Sequence, residues 1–168
     1  MNIVLTGFMA TGKTEVSKAV AAMSRYKRID TDDIIEKEAG CTINEIFKRY
    51  GEEYFRKMEH EIIKKTAGND NAVIATGGGA VLKKENIIEL RKNGVIFNLS
   101  PEFSVIRERL EMAAATRPLL QDSSIAEIEA RFNSRKEFYD DCDYKIHVVN
   151  GRTAKSYAME ILKTMENR

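Results

Sequence analysis

A glycine-rich segment near the start of the chain has the residue types and spacing of a phosphate-binding loop. Residues 7–14 read Gly-Phe-Met-Ala-Thr-Gly-Lys-Thr and match the pattern G-x-x-x-x-G-K-[ST]. In such a loop, backbone N–H groups surround the β-phosphate at a helix N-terminus, where the helix dipole favours negative charge. Lys13 is expected to reach the β- and γ-phosphates, and the Thr14 hydroxyl to ligate Mg²⁺. The segment therefore predicts a nucleotide triphosphate site with magnesium.

The residues on either side of this loop support the interpretation. Residues 2–6 read as a short apolar strand, and residues 15–23 place apolar side chains at helical spacing. A chance glycine-rich turn before a helix is the alternative, and the strand–loop–helix order argues against it. The predicted ATP-binding residues of the loop are Gly7, Ala10, Thr11, Gly12, Lys13, Thr14 and Glu15.

An acidic segment, residues 30–33 (Asp-Thr-Asp-Asp), follows the second predicted strand. Ligands of open α/β sheets bind beyond the carboxyl ends of strands. Carboxylates placed there can hold Mg²⁺, directly or through water, or accept a proton from a substrate hydroxyl. The alternative is an N-cap with first-turn acids for the next helix, a role that suits Asp33 in particular.

Three consecutive glycines, Gly77, Gly78 and Gly79, follow the third predicted strand. Each glycine loses much backbone entropy on folding, so such a run is useful where a ligand must approach bare backbone. A tight strand-to-helix turn would account for one of them. We expect the run to contact a ligand.

Three arginines, Arg56, Arg117 and Arg135, stand where they could face a ligand. Arginine binds carboxylates and phosphates through a planar fork of donors. Each could instead be a solvated surface charge, and Arg56 and Arg135 could pair with Glu59 or Glu137 along a helix.

Strands and helices alternate along the chain with short connections, which predicts a parallel sheet covered by helices on both faces. The expected fold is a three-layer α/β/α P-loop kinase fold with five strands, whose order the pattern does not give. Pro101 is expected to open a helix after a strand. The predicted strands are Ile3–Leu5, Tyr26–Asp30, Ala72–Thr76, Val95–Leu99 and Tyr144–Val148. The predicted helices span 13–24, 32–39, 43–66 with a break near Gly51, 85–93, 102–112, 124–140 and 153–166.

Length and composition limit the function classes. The 168 residues suit one domain, and the net charge of +1 does not call for nucleic acid as a partner. Cys41 and Cys142 are too few for a disulfide framework and are expected to be free thiols. No apolar run approaches a membrane span, and a strand beginning at residue 2 leaves no room for a leader segment. We therefore expect a cytoplasmic protein. We also expect a monomer, because the predicted helices account for both sheet faces.

Read in order, these segments resemble the shikimate kinase family from residue 1 almost to the C-terminus. Besides the P-loop, the shared segments are D-[ST]-D at Asp30–Asp32, F-R-x-x-E from Phe55 to Glu59, G-G-G at Gly77–Gly79, R-P-L-L from Arg117 and R-x-x-x-Y from Arg135 to Tyr139. Each segment alone is weak, whereas the ordered set is specific.

The resemblance implies Mg²⁺-dependent transfer of the γ-phosphoryl group of ATP to the 3-hydroxyl of shikimate, in the route to chorismate and aromatic amino acids. It implies a single kinase domain over 1–168, with a mobile lid at about 111–122 and a substrate-binding helical region at about 32–60. The implied roles are as follows: Lys13, Asp32 and Arg117 catalytic; Asp32, Arg56, Gly77, Gly78, Gly79 and Arg135 binding shikimate; Thr14 and, through water, Asp30 holding the metal; Arg109, Arg117 and Arg152 binding ATP, with adenine between Arg109 and residues 150–154.

The chain departs from the family pattern at two places. Ala10 stands where the family usually has glycine, and its Cβ could crowd the phosphates or stiffen the loop. The apolar stretch 111–115 contains good helix formers, so we expect residual helix in the open lid.

Two other functions share the P-loop core. One is another small-molecule kinase, acting on gluconate or a nucleoside monophosphate, and the other is a non-catalytic nucleotide-binding module. Asp32, Arg56, Arg135 and the glycine run favour a hydroxylated carboxylic acid as acceptor. Degenerate kinases usually lose the lysine, the acids or the lid arginine, and Lys13, Asp32 and Arg117 all stand here.

Overall fold

The computed structural model describes residues 1–116 and 123–168, in which strands and helices alternate. The strands are β1 (Asn2–Thr6), β2 (Lys27–Asp30), β3 (Ala72–Ala75), β4 (Gly94–Pro101) and β5 (Tyr144–Val148). The α-helices are α1 (Lys13–Met23), α2 (Thr31–Ala39), α3 (Ile43–Ala67), α4 (Lys84–Arg91), α5 (Phe103–Thr116), α6 (Ile125–Tyr139) and α7 (Ala154–Glu166). A short 3₁₀ turn covers Ala80–Leu82.

The five strands form one parallel sheet in the order β2-β3-β1-β4-β5. The predicted five-stranded parallel sheet is confirmed, and the order is new information from the structure. With β1 in the centre, the loop that follows it lies beside the ends of β3 and β4. Since β2 pairs with β3, the acidic segment and the glycine run also meet at this edge of the sheet.

The apolar core lies on both faces of the sheet, as the three-layer prediction requires. Because successive strand residues point to opposite faces, Val4 belongs to the core under α3, α4 and α6, whereas Ile3 and Leu5 belong to the core under α1 and α7. A smaller cluster joins α2 to α3 through Ile35, Ile46, Phe55 and Ile62. This third cluster anchors the helices that carry Asp32 and Arg56 to the rest of the domain.

The boundaries of three elements bear on the sequence predictions. Gly51 has φ 83° and ψ 173° inside α3, so the predicted break is confirmed. The prediction for Pro101 is wrong, because Pro101 is the last residue of β4, paired with Val148, and α5 begins at Phe103. Helix α5 continues through the apolar stretch 111–115 to Thr116. Arg117 and the rest of the predicted lid, 117–122, lie outside the described residues.

Within the described ranges, no helix has both the length and the apolar character needed to cross a bilayer. Both cysteines, Cys41 and Cys142, are free thiols, as the cysteine count predicts, and both are half-buried. Neither lies in the loop, acidic or glycine segments discussed below.

Candidate active site

The predicted phosphate-binding loop connects the buried strand β1 to the N-terminus of α1. Gly7 has φ 146°, and a Cβ there would lie 2.8 Å from the Leu99 carbonyl oxygen, so only glycine fits. Gly12 has φ 94° and stands immediately before α1. The first backbone N–H groups of a helix have no partner within the helix and are available to an anion. The loop therefore has the backbone form that a phosphate site needs.

Ala10 occupies a backbone conformation that favours glycine. Its φ of 59° lies in the left-handed region, where a Cβ normally costs about 1 kcal/mol. The carbonyl oxygen of Ala10 accepts a hydrogen bond of 2.9 Å from Arg109 Nη1, which helps to hold this conformation. The departure from the family pattern at Ala10 thus coincides with a strained position in the loop.

Substitutions at Ala10 should separate the effect of backbone strain on stability from the effect of side-chain size. We expect Ala10→Gly to leave the free energy of unfolding within about 1 kcal/mol, because relief of strain is offset by greater freedom of the unfolded chain. Ala10→Val should destabilise by about 1–3 kcal/mol, because a β-branched residue is poorly tolerated at positive φ. Urea unfolding of the three proteins measures this, and equal stability of all three would contradict the backbone assignment.

Lys13 is half-buried in the loop and hydrogen-bonded to the loop itself. Its Nζ donates to the carbonyl oxygens of Gly7 (2.7 Å) and Phe8 (2.8 Å). Burial lowers the pKa of Lys13 to about 8, and the nearby carboxylates of Asp32 and Asp30 act in the opposite direction. A negatively charged phosphate placed beside Nζ would favour the charged form further.

Asp30 caps α2 and is held by an arginine that the sequence predictions did not include. Its Oδ1 accepts from the backbone N–H of Asp32 (3.2 Å), and its Oδ2 accepts from Arg28 Nη2 (2.8 Å). Arg28 Nε also donates to Ser17 Oγ on α1 (3.1 Å). The predicted N-cap with first-turn acids is thus present: Asp30 is the N-cap, and Asp33 is an exposed first-turn acid that lies 3.4 Å from Arg28 Nη1. Nothing in the spacing of residues 28–33 indicates that Arg28 would fold back onto these carboxylates.

Asp32 points a free carboxylate oxygen into the interior of the site. Its Oδ1 is buried and has no hydrogen-bond partner in the part of the chain that the structure describes. Burial raises the pKa of Asp32 to about 6, with Asp30 and Glu59 adding to the rise and Lys13 opposing it. An unpaired buried acceptor is costly to stability, so it indicates a place where a ligand donor belongs.

A single cavity of about 330 Å³ connects the loop to these carboxylates and to the glycine run. Its lining residues are Met9, Ala10, Gly12, Lys13, Thr14, Glu15, Asp30, Asp32, Ala75, Thr76 and Gly78. No group of three or more His, Cys, Asp or Glu side chains in 1–116 and 123–168 could hold a metal ion alone. Mg²⁺ needs no such group, because it typically keeps several waters and binds one or two protein oxygens together with nucleotide phosphates. Thr14 and Asp30, which both line the cavity, fit that arrangement.

The pH dependence of activity should follow Asp32 and Lys13. Because Asp32 must be ionised to accept a proton, activity should fall as pH drops below about 6. Because Lys13 must be charged to neutralise phosphate, activity should also fall as pH rises above about 8. Steady-state kcat/KM across pH 5–10 would measure both the acid and the alkaline loss of activity. In the pH profile of kcat, the alkaline loss should move to higher pH, because bound phosphate keeps Lys13 charged. An acid limb near pH 4 would show that Asp32 is solvated rather than buried.

Two glycines of the run are pressed against side chains of the candidate site. A Cβ on Gly77 would lie 2.7 Å from Asp32 Oδ1 and 3.0 Å from Glu59 Oε1. A Cβ on Gly79 would lie 2.6 Å from Arg56 Nη1. By contrast, a Cβ on Gly78 would meet nothing closer than the Met9 backbone nitrogen at 3.5 Å. The run thus has close neighbours at its two flanking residues and only ordinary van der Waals contacts at its centre.

Glu59 completes this side of the site, although the sequence predictions did not include it among the substrate-binding residues. Its Oε2 accepts from Arg56 Nη1 at 2.7 Å, whereas its Oε1 is buried without a partner among the described residues. Burial raises the pKa of Glu59, and the charges of Arg56 and Arg135 lower it. The alternative that Arg56 pairs with Glu59 along the helix is realised, and the i, i+3 spacing was the available signal. Arg56 is thereby fixed beside Gly79, and Arg135 lies within electrostatic reach.

Arg109, which is predicted to contact adenine, lies between two loops of the candidate site. Its Nε lies 3.4 Å from Asn150 Oδ1, so its guanidinium spans the phosphate loop and the 150–154 loop. Arg152 is engaged with α7 instead: it stacks 4.3 Å over the Tyr157 ring and lies 2.5 Å from Glu160 Oε2. ATP contact by Arg152 stays a prediction that would require these partners to be exchanged.

Comparison with known proteins assigns this site to a family. The family model described as "Shikimate kinase" matches residues 9–166. The chain belongs to the shikimate kinase family. A shikimate kinase of Caldanaerobacter subterraneus subsp. tengcongensis is 45% identical over 163 residues, covering 96% of this chain and 94% of that protein.

Solved shikimate kinase structures share the whole fold. The Acinetobacter baumannii shikimate kinase in complex with shikimate superposes with a TM-score of 0.87 at 30% identity, covering 99% of this chain and 93% of that one. The shikimate kinase of Bacteroides thetaiotaomicron gives a TM-score of 0.88 at 31% identity, covering 99% and 98%. The predicted family, fold class and kinase activity are confirmed.

Proposed function

We propose that the chain transfers the γ-phosphoryl group of ATP to the 3-hydroxyl of shikimate, giving shikimate 3-phosphate and ADP. The observation that carries this proposal is the common cavity, which joins Lys13 and Thr14 to Asp32 and Gly78. A donor phosphate and an acceptor hydroxyl bound in one cavity can meet without crossing solvent. Phosphoryl transfer depends mainly on such positioning and on charge stabilisation.

On the acceptor side, each polar group of shikimate would meet a group of matching chemistry. Asp32 Oδ1, buried and unpartnered in the described part of the chain, would accept the hydrogen bond of the reacting hydroxyl and take its proton during transfer. Arg56 and Arg135 would hold the carboxylate through their donor forks. The backbone N–H of Gly78 would donate to a further hydroxyl.

On the donor side, the Lys13 ammonium would exchange its two carbonyl partners for phosphate oxygens. This movement would place positive charge where negative charge develops on the transferred group. Thr14 and, through water, Asp30 would hold Mg²⁺, which would supply positive charge to the phosphate groups. Arg109 would contact the nucleotide base, and Arg117 would close over the phosphates to exclude water.

A coupled ADP-release assay with shikimate, gluconate and AMP as acceptors tests the proposal. We expect ATP- and Mg²⁺-dependent turnover with shikimate and none above background with the other two. Lys13→Met, which removes only the charged end of the side chain, should abolish it and serves as the control for contaminating kinases. Turnover with gluconate or AMP but not shikimate would overturn the proposal, and ATP binding without any turnover would favour a non-catalytic module.

Two further features belong to the proposal. We expect the active species to be a monomer in the cytoplasm, with ATP and shikimate as its partners. Sedimentation of the purified protein with both substrates would test the first point, and an obligate dimer would contradict it.

A further inference from the structure

We propose that Tyr139 is a positioning residue whose hydroxyl group holds the glycine run in place beside the carboxylate-binding arginines. The inference rests on the proposed function, because it concerns how shikimate would be held. Tyr139 is the last residue of α6, one helical turn after Arg135, and only 5% of its surface is exposed. Its side chain enters the space between the glycine run and the phosphate-binding loop.

The Tyr139 hydroxyl joins two segments of the candidate site. It donates a short hydrogen bond to the carbonyl oxygen of Gly78, sixty-one residues earlier in the chain. The charge of Arg135, one helical turn earlier on α6, acts on the same hydroxyl, so the guanidinium lies close to it. Burial raises the pKa of Tyr139 to about 12, with Arg135 opposing the rise, so the hydroxyl keeps its proton at neutral pH.

A run of three glycines needs such an external contact. Glycine has no side chain to restrict its backbone, so the run would otherwise sample many conformations. Tyr139 holds the carbonyl of Gly78, and the next residue, Gly79, lies directly beside the Arg56 guanidinium. Fixing this carbonyl therefore sets the backbone surface beside which Arg56 lies.

The aromatic ring has a separate contact that substitution can leave intact. It meets Phe8 of the phosphate-binding loop edge-on, with ring centroids 6.4 Å apart and an interplanar angle of 88°. Tyr139→Phe keeps this contact and removes only the hydroxyl. The variant thus separates shikimate positioning from packing of the ATP loop.

The test is steady-state kinetics of Tyr139→Phe with both substrates varied. We expect the KM for shikimate to rise by up to about 10-fold, the upper end of what one lost hydrogen bond contributes. We expect kcat to change less than about 3-fold and the KM for ATP less than about 2-fold, because the groups lost bind substrate and transition state alike.

Tyr157→Phe is the matched control. The Tyr157 hydroxyl also bonds backbone outside its own helix, accepting from Val149 N (2.9 Å) and donating to Val149 O (3.1 Å), but on the sheet face that α1 and α7 cover. The Tyr157→Phe substitution should lower the melting temperature about as much as Tyr139→Phe does, and should leave the KM for shikimate unchanged.

An unchanged shikimate KM in Tyr139→Phe, or an equal rise in Tyr157→Phe, would overturn the inference. Failure of Tyr139→Phe to fold would also overturn it, because the hydroxyl would then be structural. If the unmodified protein did not turn over shikimate, that result would contradict the proposed function rather than the role of Tyr139.

Discussion

Asp32→Asn is expected to lower kcat by about 10²–10⁴-fold while ATP affinity stays nearly constant. The amide has almost the same shape but cannot accept the proton of the acceptor hydroxyl, and a positioned base contributes rate factors of this size. Kinetics and ATP titration calorimetry would measure the two quantities. Asp33→Asn is the matched control, since Asp33 is the next residue, is 69% exposed and should tolerate the same chemical change.

The same substitution should make the protein more stable. Burial raises the pKa of Asp32 from 3.8 to about 6, so the folded state holds its proton more tightly than the unfolded chain. Stability therefore falls as pH rises from about 4 to 6, and above that range the buried charge is a constant cost. Removing it should raise the free energy of unfolding at pH 7.5 by about 1–2 kcal/mol, which allows for partial solvation.

The combination of lost turnover and gained stability separates a functional carboxylate from a structural one. If Asp32→Asn lost both activity and stability, Asp32 would be a structural residue, and unchanged turnover would remove it from the chemistry. Sites that hold an unpaired charge for catalysis commonly show this opposition between stability and activity.

Gly77→Ala and Gly79→Ala are expected to damage different steps. A Cβ on Gly79 would occupy space within 2.6 Å of Arg56 Nη1, so the flexible arginine must move away. Losing its contact with the shikimate carboxylate should raise the KM for shikimate about 10–100-fold. A Cβ on Gly77 would displace Asp32, whose Oδ1 would be 2.7 Å away, and a displacement of about 1 Å should lower kcat about 10²-fold.

Gly78→Ala is the control for both substitutions. Its Cβ would find ordinary van der Waals contacts, the nearest at 3.5 Å, so it should give the smallest kinetic loss of the three. Melting temperatures should fall only slightly in all three, because the displaced groups are ends of side chains rather than backbone. If Gly78→Ala were the most damaging, or if all three acted on the same kinetic constant, the geometric assignment would be contradicted.

The parts of the fold that the sequence predicted correctly are those governed by local rules. The phosphate-loop pattern identified Lys13 and Thr14, and the glycine break in α3 was found at Gly51. Both depend on residues that are neighbours in the chain. The error at Pro101 has the same origin: proline suits the first turn of a helix, yet pairing of β4 with β5 extended the strand over it.

The sequence by itself determined that a phosphate loop, an acidic strand end, a glycine run and three arginines exist, and in what order they occur. Only the tertiary structure decided which of them touch. The strand order placed β3 between β1 and β2, and α6 brought Tyr139 to Gly78. The raised pKa of Asp32 likewise arises from burial by distant segments. Burial and long-range contacts are properties of the packed chain, so local patterns carry no record of them.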